Sequence, residues 1–98
     1  MIRHILLIKF KASTESVQID ELKAKFEAMP YKIEGVASVE WGENNSPEHK
    51  NQGYSHCVLI NFTDQKGREN YLPHPEHNKL KQTFRPILED IIVFDYQV

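Results

Sequence analysis

Ile2–Phe10, IRHILLIKF, is a strand with two apolar faces, and that limits the folds open to this chain. In alternation, Ile2, His4, Leu6, Ile8 and Phe10 point one way and Ile5 and Leu7 the other. The last apolar run, Ile91–Val98, repeats the pattern. Ile92, Phe94 and Tyr96 share one side, and Ile91 and Val93 the other. A sheet that is apolar on both faces must be covered twice. What the rest of the chain can offer as cover is therefore the next question.

Two helical regions are legible. Ser13, Thr14 and Ser16 offer cap hydroxyls ahead of a stripe at Ile19, Leu22, Phe26 and Met29, and Pro30 is read as its close. The second region starts after Asp64, runs to Tyr71, breaks at Pro73, and resumes after Pro75 towards Leu88. Between the two lie a strand at Val36–Asn45, where Val39 and Trp41 alternate, the polar loop Ser46–Gly53, and a strand at Tyr54–Phe62. The order is β-α-β-β-α-β, an α+β ferredoxin-like pattern with an antiparallel sheet. Both helical regions of such a fold cover one face. A second copy of the chain is the simplest cover for the other, which predicts a homodimer packed sheet to sheet.

With 98 residues the chain suits a single domain, 1–98, and 40% apolar content suits a packed core. A net charge of −2 gives no footprint for nucleic acid. No window approaches a membrane span, and MIRHILLIKFK reads as a first strand and not as a leader. The lone Cys57 excludes an intrachain disulfide and suits a reducing cytoplasm.

Chemistry concentrates in the histidines and in Tyr71–His77, YLPHPEH. His4 shares a face with Leu6 and Ile8, and His56 shares one with Val58 and Ile60. The first and third strands are taken as adjacent and parallel, which predicts His4 and His56 at the same end of the sheet. The helix after Asp64 is expected to carry YLPHPEH back to that end. Singly, His4 and His56 read more simply as satisfied core or dimer-edge histidines. His74 leads into a helix whose first turn holds Pro75, and Glu76 complements the helix dipole. His77, near that same N-terminus, is expected to stay neutral and able to accept a proton. Tyr71 is either core or a proton donor to a carbonyl or enolate oxygen. Trp41 is added as a ligand-binding wall. A zinc site from His74, His77, His4 and His56 is disfavoured by Pro75 and by the lack of a Cys or Asp cluster. Cys57 faces away from His56, and four glycines build no phosphate loop.

MIRHILLIKFK, EWGENNSPEHKNQGYSHCVLINF, YLPHPEH and IIVFDY together resemble the stress-responsive A/B-barrel (Dabb) family. The resemblance implies a dimeric α+β barrel of two ferredoxin-like sheets. From a plant cyclase of the family it implies a base at His77, a partner hydroxyl at Tyr71, and pocket histidines at His4 and His56. It implies aldol-type or isomerase-like chemistry with no cofactor. It also implies, from some plant relatives, a magnesium ion on backbone carbonyls near Pro30, Ile33 and Val36. Leu72–Pro73 and the charged run NKLKQTF depart from the cyclase and point away from a long polyketide substrate. The competing reading is a non-catalytic stress-response dimer whose histidines are structural.

Overall fold

The computed structural model describes all 98 residues. It contains β1 (Ile2–Phe10), α1 (Ser16–Glu27), the short α2 (Met29–Lys32), β2 (Val36–Glu43), β3 (His56–Phe62), α3 (Gln65–Tyr71), α4 (Pro75–Phe84), a 3₁₀ turn (Arg85–Ile87) and β4 (Leu88–Gln97). The four strands form one sheet in the order β2-β3-β1-β4, with every neighbouring pair antiparallel. The helices lie against one face of it, over the buried Ile2, Leu6, Ile8, Val58, Ile60 and Phe62. No helix is long and apolar enough to cross a membrane.

The ferredoxin-like pattern expected from the element order is therefore present, but one expectation within it is overturned. β1 and β3 run antiparallel, pairing His4 with Ile60 and Ile8 with His56. His4 and His56 consequently sit at opposite ends of the sheet, four residues or about 13 Å apart along the strands. α3 explains which end the following segment reaches. Its seven residues return only about 10 Å, whereas the path from His56 to Phe62 covers about 20 Å. Tyr71 thus stops over Phe62, with ring centroids 5.1 Å apart, and 6.2 Å from His4.

Local signals account for the other differences. The N-cap of α1 is Glu15, whose backbone N–H donates to Gln18 Oε1 at 2.9 Å, so the serine hydroxyls do not cap the helix. Pro30 opens α2 and does not end α1, since the first turn has no use for its missing N–H. Asp64 caps α3 as expected, accepting from Gly67 N–H at 2.8 Å. β4 begins at Leu88, three residues earlier than the apolar run suggests, because Leu88 pairs with Phe10 beyond a bulge at Lys9.

Gly35 and Gly67 fix how α3 sits. A Cβ on Gly35 would lie 2.7 Å from Gly67 Cα, and one on Gly67 would lie 2.9 Å from the Gly35 oxygen. Gly35 also has φ +94°, a conformation side chains resist. The two backbones touch, and that contact sets the height of Tyr71 above the sheet.

The face away from the helices carries Leu7, Ile92, Phe94 and Tyr96, exposed at 36%, 41%, 61% and 41%, with half-buried Ile5 and Leu59 beside them. The alternation read from sequence groups Ile5 with Leu7 and Ile92 with Phe94 and Tyr96, and the β1–β4 register brings both groups to this face.

Candidate functional site

A cavity of about 260 Å³ opens between α4 and the β1–β4 half of the sheet. Leu6, Phe26, Leu80, Phe84, Ile91 and Val93 give it apolar walls, and His4, Tyr71 and His77 bring polar groups into it. Its shape follows from the helical period: Leu80 and Phe84, four apart on α4, both turn towards the sheet.

His77 stands in the first turn of α4, with its Nδ1 2.9 Å from the Leu72 carbonyl oxygen. A carbonyl can only accept, so Nδ1 is the donor, and in the neutral ring Nε2 keeps the lone pair. Burial holds the His77 pKa below its ordinary value, against the opposing pull of the Leu72 bond, and the Lys81, His4 and Arg85 charges lower it further. The imidazole is therefore a neutral base at pH 7. Its ring lies against that of Tyr71, with centroids 4.2 Å apart. Tyr71 is 1% exposed, and burial alone pushes its hydroxyl well above the ordinary tyrosine range, with no hydrogen bond contributing. Such a hydroxyl is a proton donor and not a phenolate.

His4 enters the same cavity from β1. Its Nδ1 lies 2.6 Å from Asp95 Oδ1, and Arg68 Nη1 lies 3.1 Å from Asp95 Oδ2. The carboxylate holds Nδ1 as a donor, which turns the other ring nitrogen of neutral His4 into an acceptor. Neither Asp95 nor Arg68 figured among the residues picked out from sequence. Asp95 was nevertheless legible, as a carboxylate in register with Ile91 and Val93 on the helix-facing side of β4. Arg68 carried no comparable signal.

His56 and Trp41 are not part of this arrangement. They lie at the far end of the sheet, with centroids 5.4 Å apart, and Phe10 stacks edge-on against His56 at 5.1 Å. The His56 Nδ1 is 2.7 Å from Ser55 Oγ, and its Nε2 is 3.6 Å from Glu43 Oε1. Burial lowers the His56 pKa, while Glu43 raises it. His74 is the N-cap of α4, accepting from Glu76 N–H at 3.1 Å. Cys57 pairs across from Leu7 on the outer face, away from His56.

The Pro30, Ile33 and Val36 carbonyls lie along α2 and the turn into β2, where the Ile33 oxygen accepts Val36 N–H at 3.3 Å. Nowhere in the chain do three His, Cys, Asp or Glu side chains gather as a metal set.

Comparison with known proteins adds four findings. Residues 2–98 match the family model described as Stress responsive A/B Barrel Domain. Olivetolic acid cyclase from Cannabis sativa is 26% identical over 97% of this chain and 94% of its own length. Among solved structures, the Arabidopsis thaliana protein At3g17210 has a TM-score of 0.94 at 28% identity, covering 100% of this chain and 95% of its own. A protein of unknown function from Bacteroides fragilis, described as dimeric and ferredoxin-like, has a TM-score of 0.82 at 24% identity, covering 99% and 95%. At that identity the second likeness speaks to the fold alone.

Proposed function

The chain belongs to the stress-responsive A/B-barrel (Dabb) family, and within it we propose a protein that binds a small, mainly apolar carbonyl compound beside Tyr71 and His77 and moves a proton on it without a cofactor. One observation carries this reading. A neutral imidazole, pinned through Nδ1, lies at 4.2 Å against the ring of a buried tyrosine that has no side-chain hydrogen bond of its own, and both line an apolar cavity. In the reaction, the proton α to the carbonyl passes to His77 Nε2 and the C–H electron pair moves into the enolate. The enolate oxygen accepts a hydrogen bond from the Tyr71 hydroxyl. The enolate then attacks a second carbonyl of the same molecule, whose oxygen takes the proton from His77 as the C–C bond forms, as in an aldol cyclisation, or the enolate is reprotonated by His77 at another carbon, as in an isomerisation. The likeness to olivetolic acid cyclase supports the class of chemistry, and His4, held by Asp95, supports the pair electrostatically.

The test is deuterium exchange at the α carbon of 2-heptanone in D₂O, followed by NMR. Wild type is expected to exceed His77→Gln and Tyr71→Phe, with loss of the base costing about 10²–10⁴-fold. Exchange equal in wild type and both variants removes the catalytic reading.

The working unit in this reading is a homodimer closed over the face bearing Leu7, Ile92, Phe94 and Tyr96. The competing, non-catalytic reading has one observation of its own. His4 Nδ1 is held by Asp95, which Arg68 holds in turn, as a structural histidine would be.

A further inference from the structure

The mouth of the cavity carries two cations for which the chain itself has no counter-ion. Lys81 and Arg85 are four residues apart, so they share one side of α4 and its C-cap, a spacing at which like charges repel. Both border the Tyr71–His77 cavity and also an open groove shared with Asn78 and Gln82. Neither forms an ion pair. Glu76, the one carboxylate of α4, faces Lys32 and Lys79, while Asp95 is taken by His4 and Arg68. The helix dipole tolerates cations near a C-terminus. It does not explain why both stand at the entrance of an apolar cavity with carboxamide donors beside them and no acid opposite.

We propose that Lys81 and Arg85 form an anion subsite, so that the ligand of this cavity is an apolar carbonyl compound bearing a carboxylate. The inference rests on the acid–base reading of the same cavity. The carboxylate lies in the groove between the two cations, where Arg85 can hold it through two N–H donors. The apolar body passes inward against Phe84, Leu80 and Ile91, and its carbonyl reaches Tyr71 and His77. The head selects and orients, and the buried pair does the chemistry.

Binding of hexanoate, hexanamide and acetate, read by NMR on the His77 and Tyr71 ring signals, separates this from the parent reading. Hexanoate is expected to bind about tenfold more tightly than hexanamide, as a charge-assisted contact would give. Added salt should weaken hexanoate and leave hexanamide unchanged. The comparison is first made in wild type, and Lys81→Gln with Arg85→Gln should then bring the two ligands level. If hexanamide matches hexanoate and both move the His77 signal, the anion subsite is wrong and the acid–base cavity stands. Acetate binding as tightly as hexanoate also overturns the subsite, since the cations would then be acting without the cavity. If no ligand moves the His77 or Tyr71 signals, both readings fall.

Discussion

His77 and His4 show how one partner can set the chemistry of an imidazole. Each ring has its Nδ1 held by an acceptor, a backbone carbonyl for His77 and a carboxylate for His4. The His77 carbonyl fixes the tautomer without bringing a full charge, and burial keeps that ring neutral. A consequence for stability follows. The folded His77 has a pKa below its ordinary value near 6.5, so as the pH falls below 6.5 the unfolded chain takes up the proton first. Stability should therefore fall as the medium is acidified from 6.5, and His56, lowered for the same cause, acts in the same direction. Urea melts at pH 7.5 and 5.5 should show a smaller acid loss for His77→Gln than for wild type. An equal or larger loss in the variant would contradict the buried, neutral assignment. At this scale the sequence was only partly legible. The neutrality of His77 was inferred from the helix dipole, yet burial and the neighbouring cations produce it. Asp95 is legible in the sequence as a charge in the apolar register of Ile91 and Val93, and its pairing with His4 is set by the β1–β4 register.

Among the elements, α3 is the one whose placement matters most, and two glycines place it. Gly67 lies inside α3, where alanine would ordinarily favour the helix by about 1 kcal/mol. Here the added Cβ would meet the Gly35 oxygen at 2.9 Å, and the backbone has little room to yield. The overpacking cost, typically about 1–3 kcal/mol, should prevail. Gly67→Ala is thus expected to lower stability in urea melts and to shift the Tyr71 ring signals. An unchanged or raised midpoint would show that α3 can slide. Element positions were readable from alternation and helical stripes, and Asp64 was readable as a cap. Strand direction was not. Alternation gives the face of each residue in β1 and β3 but not their relative sense, so His4 and His56 were placed together when the antiparallel register separates them. The length of α3, seven residues against the span of β3, held the information needed to choose the correct end.

On the scale of the whole molecule, the outer sheet face decides the assembly. Phe94, 61% exposed, stands across from Ile5, and Ile92 stands across from Leu7. A contiguous apolar surface of this kind needs a partner. The protein is expected to sediment as a dimer at micromolar concentration, and Phe94→Asp with Leu7→Glu should yield a folded monomer. A wild-type monomer would refute the pairing. Two-faced strands made this feature the most legible one in the chain, because it needed only alternation and a count of the available helices.

The Leu72–His77 bond has a further implication for protein engineering. It closes within a single short stretch, so the position of the His77 ring relative to Tyr71 and Leu72 is fixed by neighbouring residues of the chain. The walls that meet a ligand come from elsewhere, chiefly from the later turns of α4 and from β4. Under the proposed function, reactivity and selectivity would be written on different parts of the chain, so the walls could be recoded by directed evolution while the Tyr71–His77 pair is left unchanged.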